Sequence, residues 1–345
     1  MSVRLEKLQG LLDEPLLVTN PVNVFYLTGF KSSNPALLVD TERVQLFTDF
    51  RYASAARDIA GVEFVEAKRD LLGDLASRLS GRIGFESAYV SYAGWEKLRS
   101  NGLELVPRPG HVESLRAVKD EDELASLRRA CAITDRVYER LAEERFVGRT
   151  ERDLAWTMTQ LFHAEGGTAV SFELLVASGP NSAKPHARAG DRKIGRGETV
   201  VIDAGCVVDG YPSDYTRTFA TGTLPDDLRD AYAVVAEAQQ AALTRIRAGL
   251  SGVEADGLAR DVVERTPFAG LFGHGLGHGL GIEVHEAPRL SPESGDTLVP
   301  GNVVTVEPGI YIPGRGGIRI EDDVVVTEGG IENLTHLRKD VVEVG

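Results

Sequence analysis

Cysteine is scarce in this 345-residue chain: Cys131 and Cys206 are the only two, far apart and in no CxxC. That excludes a disulfide framework and a thiolate zinc site, and it suits a reducing cytoplasm. Long apolar runs are missing as well. No stretch reaches the about 18 apolar residues that a membrane span needs, and the opening MSVRLEK has no apolar signal core. A soluble, cytoplasmic protein with no membrane partner is therefore expected. Positive charge is in short supply, with 38 Lys and Arg against 52 Asp and Glu and a net charge of -14. This balance argues against a nucleic-acid partner. Histidine is absent from residues 1–110, so a metal site there would have to be all carboxylate. What remains is ordinary globular material, 42% hydrophobic and 26% charged, long enough for two domains.

Against this background residues 271–286, LFGHGLGHGLGIEVHE, stand out. Three of the seven histidines, His274, His278 and His285, lie here, with glycine at 273, 275, 277, 279 and 281. Glycine serves where backbone bends sharply or approaches something closely. A backbone bared around imidazoles suggests a tight pocket for a metal or a polar substrate; a Gly-rich turn with surface histidines is the plainer alternative. Common motifs do not account for the stretch. A dinucleotide fingerprint needs a third glycine at i+5, where this run has His278, Leu280, Ile282 or Val284. A zincin HExxH fails because residues 285–289 read HEAPR, with arginine in the last place after a helix-breaking proline. The GxSxG elbow occurs nowhere in the chain.

In the first third, apolar runs at 16–19, 36–40, 43–48, 62–67, 82–86 and 103–107 read as strands. They alternate with helical patterns at 52–59, 70–79 and 92–100, which predicts an α/β domain with a mostly parallel or mixed sheet. The PRPG of 107–110 punctuates its end. From Lys119 a KDEDEL run opens a long helix with acidic residues in its first turn. Its apolar face runs through Leu124, Leu127, Ala130, Cys131, Thr134, Val137, Tyr138 and Leu141, so Cys131 reads as core. A second helix over 150–164 starts with the cap pair Thr150 and Asp153, and others follow near 226–248 and 253–264. Helices interleaved with hairpins predict an α+β domain whose antiparallel or strongly curved sheet holds a site.

Carboxylates recur at the ends of apolar strands. The strand 198–205 carries Asp203, and Asp214 follows eleven residues later after a Gly-Tyr-Pro turn, a spacing that fits a hairpin with both carboxylates side by side. Glu307 ends the run VVTVE, and Glu321 ends GGIRIE. Buried carboxylates are expensive unless paired or metal-bound. Each alone is as well explained by a structural salt bridge; together, beside the Gly-His-Gly loop, they point to a metal site. Oxygen-rich ligands with one histidine suit two hard or borderline divalent ions, Mn²⁺ foremost, with Co²⁺ or Zn²⁺ as alternatives.

These residues resemble the metallopeptidase family that contains prolidase, Xaa-Pro aminopeptidase and methionine aminopeptidase. The resemblance implies an α+β protein with an N-terminal creatinase-like α/β domain over 1–118 and a C-terminal pita-bread peptidase domain over 119–345. The family's ligand order Asp, Asp, His, Glu, Glu is matched by Asp203, Asp214, His278, Glu307 and Glu321. It implies that Asp203 chelates one ion, that His278 and Glu307 hold the other, and that Asp214 and Glu321 bridge. It implies too that Glu307 moves protons and that His186 and His285 act catalytically on the scissile carbonyl. His274, Arg289 and Arg319 match positions near the substrate. Lys184, before the Pro185-His186 pair, departs from the family's smaller residues there.

The large N-terminal domain leans the resemblance to the proline-specific branch, with substrates that carry proline in second position. Residues 49–52, DFRY, resemble a motif of small bacterial Xaa-Pro aminopeptidases and bring in Arg51 and Tyr52 as substrate contacts from a homodimer partner; the alternative is a helix start capped by Asp49. No inserted selectivity loop of the small prolidases is visible. The expectation is thus an Xaa-Pro aminopeptidase, with Xaa-Pro dipeptidase (prolidase) as runner-up. A catalytically inactive pita-bread module that binds proteins is the reading from another class, and such chains lose ligands that are all present here.

Overall fold

Short leucine- and valine-rich segments of the first unit, Met1–Arg116, pair into one mixed sheet. Its order is Glu63–Glu66, Val44–Thr48, Ala36–Val39, Leu16–Val18, Arg82–Phe85 and Glu104–Pro107. Ala36–Val39 is antiparallel to both its neighbours, and the outer pairings are parallel. The computed structural model describes residues 2–99 and 101–345. The helix expected over 92–100 is observed as Tyr92–Arg99, its last expected residue lying outside the described ones. Three helices escape the apolar pattern: Val3–Gln9, Pro21–Thr28 and His111–Ala117. The second carried a legible signal, because Asn20 caps it, Pro21 occupies its first turn and Gly29 closes it at φ 71°. The third begins just after PRPG, so that motif precedes the unit's last helix rather than its end.

The helix expected over 52–59 shrinks to Ala53–Arg57, with no side-chain cap. Asp49 does not cap it. Its carboxylate is buried and accepts both Nε (2.7 Å) and Nη2 (2.8 Å) of Arg51, as well as the Asn34 amide. Arg51 locks the turn, and Tyr52 shares a hydrogen bond with Ser33.

In the second unit, Ala117–Gly345, the long helix Glu121–Ala142 carries the expected acidic start, and Asp120 and Glu123 form a reciprocal cap. Together with Glu151–Ala164 it buries Val137, Tyr138, Leu154 and Met158 against Val200, Ile202 and Ala204. Those three belong to a four-stranded sheet ordered Val342–Glu343, Tyr215–Ala220, Thr199–Ala204, Leu175–Ser178. A second helix pair, Asp226–Leu243 and Gly252–Glu264, packs on Val304, Val306, Ile320 and Val324. The last two-stranded and five-stranded sheets include Gly309–Ile312 with Gly316–Arg319, and Gly277–Gly279, Val303–Val306 and Asp322–Val326. The four-stranded and five-stranded sheets thus each turn one face to a helix pair, and the polar side chains of Asp203, Thr216 and Thr305 lie on the opposite faces. Among the described residues, no helix is long and apolar enough to cross a membrane.

Candidate metal centre

Asp203 lies near the end of Thr199–Ala204, where Thr216 of the antiparallel strand Tyr215–Ala220 faces it. Asp214 immediately precedes that second strand. The expected simple hairpin is interrupted, because Cys206–Val208 and Tyr211–Pro212 form their own small hairpin in a different sheet. The interruption arises at Gly205, where an added Cβ would lie 1.7 Å from the Ser213 carbonyl oxygen. Only glycine lets the two strands cross so closely.

Gly277 does the same for His278. A Cβ there would stand 2.0 Å from the Thr305 carbonyl oxygen, so the bared backbone of the Gly-His-Gly run serves close strand approach. Thr305 then fixes both partners: its hydroxyl accepts the His278 N–H (3.1 Å) and donates to Glu307 (3.2 Å). The His278 Nδ1 lies 3.1 Å from the Gly279 carbonyl, which can only accept. The proton therefore sits on Nδ1 and leaves Nε2 bare. That Nε2 faces Glu307 at 3.5 Å and Asp214 at 3.7 Å. Burial lowers the His278 pKa, so the ring is neutral and cannot pair with these carboxylates as a cation.

Glu321 enters the same space. Thr216 donates to it at 2.6 Å and also accepts the Nε–H of Arg319 at 2.8 Å. Ligand atoms of Asp214, His278 and Glu321 all lie within 4.8 Å of one another. Burial raises the carboxyl pKa values of Asp214, Glu307 and Glu321; the negative charge of Asp203 adds to the effect on Asp214, and that of Asp214 to the effect on Glu321. Arg319 is the buried cation among them. Its Nη2 holds Asp203 at 2.5 Å, its Nη1 reaches Tyr311 (3.1 Å) and the Pro185 carbonyl (3.3 Å). Expected as a substrate contact, Arg319 is buried and directs these donors to groups of the protein itself.

His274 is likewise committed within the protein. Its Nδ1 donates to the Gly275 carbonyl (2.8 Å), and its Nε2 accepts the Tyr311 hydroxyl (2.9 Å). The series from Arg319 through Tyr311 to His274 thus shapes the loop and leaves neither ring nitrogen for a substrate. Tyr311, Thr216 and Thr305 were invisible to motif reading, since a hydroxyl two to four residues from an acid has no spacing of its own.

His186 and His285 are exposed. The rings of His285 and His278 stand 4.3 Å apart, and His186 is near enough to His285 to perturb it electrostatically. The His186 loop is tied down by buried Glu151, which accepts the Ser178 N–H, the Ser178 hydroxyl and the Gly190 N–H. Lys184, the one odd letter, donates to the Asn181 side chain (3.2 Å) within its own turn. Arg289 pairs in register with His278 across adjacent strands, so both side chains leave the same face. Its guanidinium is exposed and, among the described residues, has neither hydrogen bond nor ion pair. Arg51 and Tyr52 belong to the other unit, where Asp49 and Ser33 engage them.

The donor set fits divalent cations. Of the four carboxylates Asp203, Asp214, Glu307 and Glu321, only Asp203 and Glu321 come within 4.0 Å of the Arg319 guanidinium among the described residues, and the Asp203 Oδ1 is buried with no hydrogen-bond partner among them. A bare imidazole nitrogen aimed at two carboxylates is repulsive unless a cation lies between them. Comparison with known proteins agrees. The pattern of metallopeptidase family M24 matches residues 125–328, and that of the creatinase/prolidase N-terminal domain matches residues 4–118. An uncharacterized peptidase of Bacillus subtilis, YqhT, is 39% identical over 99% of each chain. Among solved structures, an Xaa-Pro dipeptidase from Bacillus anthracis superposes with a TM-score of 0.95 at 36% identity, covering 99% of each chain. An X-Pro aminopeptidase from Thermotoga maritima does so with a TM-score of 0.91 at 32% identity, again over 99% of each. The chain is a member of metallopeptidase family M24, built as a creatinase-like N-terminal domain followed by a pita-bread domain, and divalent metal ions come with that membership.

Proposed function

We propose that this chain is an Xaa-Pro dipeptidase working with two divalent ions, Mn²⁺ foremost, for which Asp203, Asp214, His278, Glu307 and Glu321 are the ligands. The bare His278 Nε2 supports the metal reading. The free guanidinium of Arg289 on the face of His278 supports the dipeptidase. In a dipeptide the terminal carboxylate lies one residue beyond the scissile bond, and a forked guanidinium matches it bidentately. The structural likeness to the Bacillus anthracis dipeptidase points the same way.

Bound ions supply an acidified water and a polarised scissile carbonyl. Glu307 takes up the proton released by the attacking water and returns it to the proline nitrogen as the amide bond breaks. His285 donates a hydrogen bond to the carbonyl oxygen as charge develops there, with His186 beside it. Arg319 and Tyr311 keep Asp203 and His274 in place. The reading includes a domain boundary between 118 and 119, a cytoplasmic location and a homodimer, the last of which light scattering tests.

A second reading, the Xaa-Pro aminopeptidase, is favoured by the likeness to the Thermotoga maritima structure. Arg51 and Tyr52 of the partner subunit would then contact the chain beyond proline, with the donors of Arg51 not already held by Asp49. The test is hydrolysis of Xaa-Pro against its C-terminal amide by wild type and Arg289→Ala. Wild type should prefer the free acid by about 10- to 100-fold in kcat/KM, the worth of a charged hydrogen bond, and Arg289→Ala should abolish that preference. Equal rates on acid and amide in the wild type would remove the dipeptidase reading.

A further inference from the structure

Behind the centre lies a carboxyl that the chemistry above does not use. Asp323 sits on the strand Asp322–Val326, two residues beyond Glu321 and opposite Thr305 of the neighbouring strand. It is fully buried. Its backbone is held at both ends, the N–H by Thr335 (3.1 Å) and the carbonyl by the Leu334 N–H (2.9 Å). Its Oδ2 accepts the backbone N–H of Asp214 at 3.0 Å and the thiol of Cys131 at 3.4 Å. Its Oδ1 has no hydrogen-bond partner among the described residues. The neighbouring Asp322 faces the other way and takes the Arg217 guanidinium at 2.8 Å.

A buried carboxyl with no counter-ion, beside another carboxylate, is destabilising in the bare fold. A leucine or valine would pack into such a strand at less cost. Something at this position therefore needs the acceptor. Asp214 precedes its strand and follows the Gly205 crossing, so no ladder hydrogen bond with the strand Thr199–Ala204 is available to its N–H. Asp323 is what fixes it.

Resting on the reading of Asp214 as a ligand, we infer that Asp323 is the positioning residue for that ligand. By accepting the Asp214 N–H from a rigid strand, with the Cys131 thiol orienting the acceptor, it sets the direction in which the Asp214 carboxylate enters the centre. Hydrogen-bond partners of this kind commonly change metal affinity or activity by about 10–100-fold.

The test uses the full chain loaded with Mn²⁺ alone, with three readouts: Mn²⁺ retained against a chelator by elemental analysis, kcat and KM on an Xaa-Pro dipeptide, and melting without metal. Asp323→Val removes the acceptor and keeps a strand-forming shape. It should lose Mn²⁺ about 10–100-fold more readily, with kcat falling and KM little changed. Asp323→Asn keeps a carbonyl oxygen for the Asp214 N–H and should recover most of the retention. Mn²⁺ retention by Asp323→Val equal to wild type overturns the inference. So does an Asp323→Asn variant as leaky as Asp323→Val, since charge rather than the accepted N–H would then matter. Should Asp323→Val fail to fold, Asp323→Asn alone decides: retention close to wild type is expected, and a loss of about tenfold or more overturns the inference. Asp214→Ala separates the two claims: if that variant keeps its full Mn²⁺, the ligand assignment is what falls.

Discussion

Tyr311→Phe isolates the internal network with the least disturbance. The substitution keeps the ring and its packing and deletes one hydroxyl. That hydroxyl accepts from Arg319 at 3.1 Å and donates to His274 at 2.9 Å. Phenylalanine leaves the His274 Nε2 without a donor and the Arg319 Nη1 with only the longer bond to the Pro185 carbonyl. A buried group left unsatisfied costs about 1–3 kcal/mol, and a hydrogen bond to a charged group contributes about 1.5–3 kcal/mol. Both effects share one atom and add only in part, so about 2–4 kcal/mol is the expected loss. For a unit of this size that corresponds to a melting shift of roughly 5–15 °C. Calorimetry on the metal-free chain reads it directly, without stabilisation by bound ions. A drop below about 2 °C would refute the network, since the hydroxyl would then be exchanging its partners for water. The same variant should hold Mn²⁺ less tightly, because His274 belongs to the loop that carries His278.

Two further outcomes follow from particular atoms. Gly277→Ala drives a Cβ to 2.0 Å from the Thr305 carbonyl oxygen; strand separation there should lower stability by about 1–3 kcal/mol and abolish peptidase activity, measured by denaturant melts alongside assays. In the first unit, Arg51 holds the Asp49 carboxyl well below the usual carboxylate range. A depressed carboxyl binds protons more weakly folded than unfolded, so its stabilisation is complete above an unfolded value of about 3.9 and is lost as pH falls through the lower folded value. Asp49→Asn should therefore flatten the acid limb of the first unit's unfolding below about pH 4; an unchanged limb would show that the ion pair contributes nothing.

Much of the centre was legible because its chemistry is expensive. A carboxylate ending an apolar run, as at Asp203 and Glu307, is visible in the letters since nothing but pairing or a cation makes it tolerable. The glycine alternation around His278 was visible for a similar reason, though its cause is the close approach to Thr305. What could not be read is direction. Arg319 lies within a motif that points to substrate, yet its side chain turns to Asp203 and Tyr311. The break between Asp203 and Asp214 depends on Gly205 and on pairing between distant strands. Helices went unseen where their apolar residues were too few to set a period, as at Val3–Gln9, although caps such as Asn20 gave notice.

The most direct measurement compares kcat/KM of the Mn²⁺-loaded wild type on Ala-Pro and Ala-Pro-Ala at equal metal content. With Arg289 on the terminal carboxylate, the dipeptide should be cleaved faster by about tenfold or more. Faster cleavage of the tripeptide would contradict the dipeptidase and give the chain to the aminopeptidase reading.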